Sequence, residues 1–242
     1  MKAILYIGHG TRSKKGTEEV KSFLNRVIER VNVPIQEISF LELTDPSIEV
    51  GFRRCVEKGA SEINVVPIFL LAAGHIKEDI PNALSVLGKQ YPEVQVKVRN
   101  PFGVQDQILD AIAELIRGAA GEVTSQDSLL IVGRGSSDPS IHHSFARIAN
   151  GIHERLQTDY VSVCYLAAAE PRLQEGIEAI LEAGSGRIIV IPYLLFSGLL
   201  LTEINQMIRK KQTEDREIIC TGQLSQHRVI EDIVVRGFDK IR

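Results

Sequence analysis

Residues 4–13 read ILYIGHGTRS, and residues 129–138 read LLIVGRGSSD. Each is a short apolar run closed by a Gly-X-Gly turn with polar residues behind it, the pattern of a buried strand feeding a helix through a tight loop. Working outward from this pair at a constant offset of 125, the two parts of the chain align without a gap over about 80 residues. FLELTDPSIEVGF (40–52) lies on YLAAAEPRLQEGI (165–177), and INVVPIFLLAAGHIKEDI (63–80) lies on IIVIPYLLFSGLLLTEIN (188–205). Gly10 falls on Gly135, Pro46 on Pro171, Gly51 on Gly176, Gly59 on Gly184 and Pro67 on Pro192. Glycine and proline set backbone geometry, so their coincidence points to a duplicated scaffold. The chain is expected to hold two similar domains, 1–117 and 126–242, joined by the small polar stretch GAAGEVTSQD (118–127).

Within the first copy, short apolar runs alternate with helical periodicity. AILYIG (3–8) predicts a buried strand. Val20, Phe23, Leu24, Val27, Ile28 and Val31 then fall on one helix face, and Pro34 stops that helix. QEISFLE (36–42) predicts the second strand, and Asp45-Pro46 opens a second helix closed at Gly59. INVVPIFLL (63–71) predicts the third strand, with Pro67 inside it suggesting an edge or a bulge. A third helix over about 77–90, a fourth strand at 94–98 and a fourth helix over about 105–117 complete the copy. Strand–helix alternation implies an α/β fold with parallel strands and right-handed crossovers, here a parallel four-stranded sheet flanked by helices in each copy.

The reactive positions differ between the copies. His9 faces Arg134, Glu42 faces Ala167, and His75 faces Leu200. His9 follows the first strand, Glu42 ends the second, and His75 lies four residues beyond the predicted end of the third. In an open parallel sheet, ligands bind outside the carboxyl ends of the strands, so three residues far apart in sequence share one address. One active site, in the first copy, is the simplest reading of a scaffold whose second copy has lost all three. Two imidazoles and a carboxylate suit a divalent transition metal or proton removal near neutral pH. With no further His or Cys ligand in that copy, an open and weakly held metal position fits better than a closed structural one. His9 and His75 are the candidate metal ligands, with Glu42 the third catalytic candidate.

The loop GHGTRSKK (8–15) carries Arg12, Lys14 and Lys15 at the start of a predicted helix, where anions are received. Its counterpart GRGSSD (133–138) keeps the glycines and brings Arg134 and Ser136, and Lys77 follows His75. Arg12, Lys77, Arg134 and Ser136 are the candidate substrate-binding residues. His142 and His143 are adjacent, do not share a helix face, and read as exposed residues after Pro139. LLFSGLLL (194–201) reads equally as an apolar pocket wall or as strand and packing.

Composition sets the outer limits. A chain of 242 residues with 44% apolar and 24% charged residues builds an ordinary globular core. A net charge of −3 argues against nucleic-acid binding. The longest apolar stretches are cut by Pro or Gly and are too short to cross a membrane, and the start of the chain predicts a strand in place of a signal peptide. Cys55, Cys164 and Cys220, with no CxxC spacing, read as reduced thiols of a cytoplasmic protein.

Five motifs in order, YIGHGTRS (6–13), SFLELTDPSIE (39–49), VVPIFLLAAGHIKEDIP (65–81), VGRGSSDP (132–139) and IPYLLFSGLLLTEI (191–204), resemble the class II chelatases. That family includes sirohydrochlorin ferrochelatases and the cobaltochelatases of cobalamin synthesis, and the resemblance covers nearly the whole chain. It implies two α/β domains facing across an interdomain cleft. It also implies insertion of Fe2+ into sirohydrochlorin to give sirohaem, with no prosthetic group. The family's histidines correspond to His9 and His75, and its second-strand glutamate to Glu42. The implied partners are sirohydrochlorin and a divalent metal ion, with neither nucleic acid nor membrane, in a monomer or homodimer. The chain lacks the His-rich tail and extra Cys motifs of some longer cobalt-inserting relatives, which leans toward iron and leaves Co2+ as the alternative. Two readings from other classes compete. A histidine phosphatase also begins with a strand and a His-Gly turn, but its signature places Arg before the His, where Gly8 stands here. A non-catalytic tetrapyrrole or metal carrier would bind the macrocycle without accelerating metal entry.

Overall fold

The computed structural model describes residues 1–183, 186–212 and 216–238, with the side chain of His75 outside that description. Gly184, the expected match of Gly59, also lies outside the described residues. The first copy folds as β1 (Lys2–Gly8), α1 (Lys14–Arg30), β2 (Ile35–Phe40), α2 (Ile48–Glu57), β3 (Glu62–Pro67), a π-helical turn (His75–Asp79), α3 (Ile80–Gln90), β4 (Gln95–Val98) and α4 (Asp106–Ala120). The second follows as β5 (Ser128–Gly133), α5 (Ser140–Leu156), β6 (Tyr160–Tyr165), α6 (Leu173–Ala183), β7 (Ile188–Pro192), α7 (Leu199–Lys211), β8 (Ile218–Cys220), a 3-10 turn (Leu224–Gln226) and α8 (Val229–Arg236).

Each copy forms a four-stranded sheet, ordered β2-β1-β3-β4 and β6-β5-β7-β8, with all neighbours parallel. β1 is buried from Ala3 to Gly8 because helices cover both faces. Ala3, Leu5 and Ile7 face a core with Phe52, Cys55 and Leu84 from α2 and α3. Alternate residues of a strand point to opposite faces, so Ile4 and Tyr6 take the side away from that core. On α1, Val20, Phe23, Leu24 and Val27 are buried, as its 3.6-residue periodicity predicts. Side-chain oxygens of Ser13 and Ser47 cap α1 and α2 by accepting from the amides of Gly16 and Val50.

Backbone irregularities repeat at the offset of 125. Gly10 and Gly135 have φ of 91° and 86°, Leu43 and Ala168 have φ of 60° and 55°, and Asp45-Pro46 and Glu170-Pro171 are both cis. Gly51 and Gly176 each let α2 or α6 approach its sheet closely. A Cβ on Gly51 would sit 2.9 Å from that of Ser39, and one on Gly176 2.4 Å from that of Cys164.

Three expectations are corrected. The third strand stops at Pro67, and β3 lies inside the sheet between β1 and β4, not at an edge. Proline has no amide to donate, so the ladder ends there and the amide of Ile68 takes up the bond to Ile7 O at 2.8 Å. His75 therefore follows β3 after residues 68–74, a longer approach than four residues, and begins a π-helical turn. The expected linker also starts too early: α4 continues to Ala120 and ends where Gly121 takes φ of 72°.

The compact units divide the chain differently from the repeat. One comprises Met1–Gly103 with Glu231–Arg242, and the other Val104–Ile230. The last helix of each copy thus belongs to the unit built on the other copy's sheet. In the first unit, Arg26 Nε donates to Glu231 Oε1 at 2.7 Å, and Arg30 pairs with Asp232. Phe238 meets the Tyr6 ring edge-on at 6.3 Å, and the Arg99 guanidinium lies 3.9 Å from its ring centre. In the second unit, α4 buries Ile108, Leu109, Ile112 and Ile116. Gly151 allows α4 to come close to α5, since a Cβ there would lie 2.5 Å from Leu109 Cδ1. Arg187 secures the segment between the copies. It grips Asp127 with two bonds of 2.9 and 2.8 Å and donates to the carbonyls of Ala120 and Glu122. Among the described residues no helix is long and apolar enough to cross a membrane.

Candidate metal-handling site at the strand ends

In a sheet ordered β2-β1-β3-β4, the connection leaving β1 runs towards β2 and the one leaving β3 runs the opposite way towards β4, so the switch point lies between β1 and β3. His9 leaves the carboxyl end of β1, and the turn beginning at His75 follows β3. β2 ends at Phe40, yet its pairing with the β1 side continues into the loops. Leu41 N donates to Gly8 O at 2.9 Å, and Glu42 N donates to His9 O at 3.1 Å. This register places Glu42 beside His9. Gly10 makes the approach possible: a Cβ there would stand 1.7 Å from Glu42 O.

The side chains follow the backbone. His9 Nδ1 lies 3.6 Å from Glu42 Oε1 and 3.1 Å from Gly10 O. Two acceptor oxygens beside Nδ1 put the proton of the neutral ring there and its lone pair on Nε2. An imidazole oriented by a carboxylate in this way is a frequent arrangement for a metal ligand. The His9 side chain is 26% exposed and that of Glu42 47%, so the pair is open to incoming molecules. The ring of Phe69, from the loop after β3, lies 6.1 Å from the His9 ring and provides an apolar neighbour.

The structure thus brings together two of the three predicted residues. The backbone of His75 opens the π-helical turn, and its side chain lies outside the description. In the second copy the same stretch is continuous α-helix, with Leu200 in the first turn of α7. π-Helical turns in otherwise α-helical segments often accompany functional positions. Among the described residues there is no group of three or more His, Cys, Asp or Glu able to hold a metal ion. Burial pushes the Cys55 and Cys164 thiols up to about 12 and the Cys220 thiol to about 11, which keeps them protonated and poor ligands.

Arg12 is exposed on the same loop as His9, and Lys77 is exposed in the same turn as His75. Arg134 and Ser136 occupy the matching loop of the second unit. There Ala167 N donates to Arg134 O at 2.8 Å, as Glu42 does to His9 in the first. Ser136 Oγ accepts from Asp138 N at 3.1 Å. His142 and His143 are exposed on α5, and His142 Nδ1 lies 3.4 Å from the Tyr165 hydroxyl. Of LLFSGLLL, only Leu195 is buried, and Leu199 is 64% exposed.

Two neighbours of the site escaped the reading of the sequence: Phe69, and Thr44, whose hydroxyl bonds across to the Thr11 backbone on the His9 loop. The offset that exposed the other differences would have found both, since Phe69 falls on Leu194 and Thr44 on Ala169.

Known proteins resemble this chain in sequence and in fold. A sirohydrochlorin ferrochelatase of Priestia megaterium is 39% identical over 227 residues, covering 94% of this chain and 85% of that protein. A sirohydrochlorin cobaltochelatase of the same organism is 31% identical over 240 residues, covering 97% of this chain and 78% of its own length. The solved structure of SirB from Bacillus subtilis with Fe3+ matches with a TM-score of 0.85 at 34% identity, over 97% of this chain and 93% of that one. The sequence pattern of the CbiX family matches twice, over residues 3–119 and 128–240, which are the two copies recognised from the offset. With its repeated parallel sheets and its histidine-bearing strand ends, this chain belongs to the CbiX family.

Proposed function

We propose that this chain is a sirohydrochlorin ferrochelatase, which inserts Fe2+ into sirohydrochlorin to give sirohaem. The observation that carries the reading is the His9–Glu42 pair beside the β1/β3 switch point, in a chain 39% identical to a protein of that name. In the reaction the macrocycle gives up two inner N–H protons as the metal enters, so charge balances without oxidation or reduction. The step needs no prosthetic group or nucleotide. His9 presents Fe2+ through Nε2, with Nδ1 held between Gly10 O and the Glu42 carboxylate. His75 is the second ligand. Glu42 orients His9 and is placed to take up a proton released from the macrocycle.

Arg12, Lys77, Arg134 and Ser136 are assigned to the carboxylates that ring the substrate, where a guanidinium offers paired hydrogen bonds. The first copy carries the chemistry, and the second keeps the scaffold with Arg134, Ala167 and Leu200 in its place. We read the chain as a cytoplasmic monomer or homodimer.

Co2+ insertion is the second reading, favoured by the 31% identical cobaltochelatase. Nitrogen and carboxylate sites take either metal, and availability often decides. The test is anaerobic addition of Fe2+ or Co2+ to sirohydrochlorin, followed by the tetrapyrrole absorbance, with His9→Ala and His75→Ala beside the wild type. The wild type should insert Fe2+ faster than Co2+, and both variants should fall to the uncatalysed rate with unchanged far-UV circular dichroism. Wild-type rates in both variants would refute the site. A wild type that does not accelerate entry of either metal would refute the activity.

A further inference from the structure

We infer that Thr44 is a positioning residue that holds the His9–Glu42 pair in register through its hydroxyl; this rests on the metal-insertion reading above. Thr44 Oγ1 accepts from Thr11 N at 2.9 Å and donates to Thr11 O at 3.0 Å. Thr11 stands two residues after His9, and Thr44 two residues after Glu42. The loops are therefore tied on both sides of the pair, by Glu42 N to His9 O on the strand side and by the hydroxyl on the other. Between the ties lie Gly10 and Leu43, both with positive φ. The two side chains are part exposed, and the backbone ties fix the spacing of the loops that carry them.

The second copy provides an internal control. It keeps Gly135 and Ala168 at the same positive φ, and it keeps the bond from Ala167 N to Arg134 O at 2.8 Å. The turn bond from Ser13 N to Thr11 Oγ1 at 3.1 Å also recurs, as Asp138 N to Ser136 Oγ at 3.1 Å. Only the cross-loop hydroxyl is missing, because Ala169 stands where Thr44 stands in the first copy. The loop pair therefore forms without this hydroxyl. The tie occurs in the copy that carries the histidine and the glutamate, and it is absent where both have been replaced. A hydroxyl unnecessary for building the loops, yet bonded to both polar groups of one residue across them, limits how far they can slide. Ligand groups have to stay within about 0.5 Å of their working geometry, and a tie across the loops serves that precision.

Thr44→Ala and Thr44→Ser test this. The alanine variant copies the second repeat, where alanine already sits in the same backbone. With sirohydrochlorin and anaerobic Fe2+, Thr44→Ala should lower kcat by about 10- to 100-fold, as expected for misplaced catalytic groups. The KM for sirohydrochlorin should stay within about twofold, since Thr44 is not assigned to the macrocycle. Thr44→Ser should restore most of kcat, and Ala169→Thr should change nothing. Wild-type kcat in Thr44→Ala, serine as slow as alanine, or a rise in KM alone would overturn the role. Failure of Thr44→Ala to fold would overturn it as well, by showing that the hydroxyl builds the loop. If the wild type inserts neither metal, the functional reading falls on its own. Titration with Co2+ alone then decides the inference: about tenfold weaker binding in Thr44→Ala sustains it, and equal binding refutes it.

Discussion

Gly10→Ala would place a methyl group where the structure leaves no room. A Cβ at Gly10 would lie 1.7 Å from Glu42 O, and reaching the 3.0 Å below which such contacts are essentially never seen requires about 1.3 Å of movement. The residue also has φ of 91°, which a side chain disfavours by about 1–2 kcal/mol. With the added opening of the loop contact, the loss of stability should be about 2–4 kcal/mol. The movement falls between His9 and Glu42, whose side chains now lie 3.6 Å apart. A displacement of about 1 Å in a catalytic group can cost on the order of 100-fold in rate, so kcat should fall by about that factor. Gly135→Ala is the matched control, with a Cβ 1.8 Å from Ala167 O and φ of 86°. It should lose similar stability, since the strain is the same, but spare kcat and raise the KM for sirohydrochlorin through Arg134 and Ser136. Denaturant unfolding gives the stabilities, and anaerobic metal insertion gives kcat and KM. Equal loss of kcat in the two variants would refute a single site in the first copy. Unchanged stability in Gly10→Ala would refute the steric reasoning.

Two further outcomes follow from the same geometry. Arg134→His combined with His9→Ala should not recover metal insertion, because Ala167 and Leu200 still stand where Glu42 and His75 stand in the first copy; a rate near wild type would show that the copies are interchangeable. The Arg187 guanidinium holds the Asp127 carboxyl below its ordinary value of 3.8. A carboxylate with a lowered folded-state value stabilises fully above its ordinary value and loses that contribution as pH falls through the lowered one. Asp127→Asn should therefore cost about 1–3 kcal/mol at pH 7 and narrow its gap from the wild type below about pH 4. Thermal unfolding across that range checks it, and a gap that widens in acid would contradict the assignment.

Much of this protein is legible in the order of its residues. The duplication, the alternation of strands and helices, and the loss of three reactive groups from the second copy all appear at one offset. Buried strands need apolar runs, helices need one apolar face, and turns need Gly or Pro, so these features leave local marks. The difference between Thr44 and Ala169 also lies at that offset, although residue order alone does not say what the hydroxyl bonds to. Only the tertiary structure decided what depends on distant segments. The apolar faces of α4 and α8 predict helices and say nothing about which sheet receives them, so the exchange between units was invisible. Pro67 reads as a mark of an edge or a bulge because the lost amide is local, whereas the strand's place between β1 and β4 is not. The 3.6 Å between His9 and Glu42 depends on the register of two parallel strands and on the bare backbone of Gly10. Residue order names the groups that can meet at strand ends, and the parallel register, a relation between segments about thirty residues apart, decides that these two do.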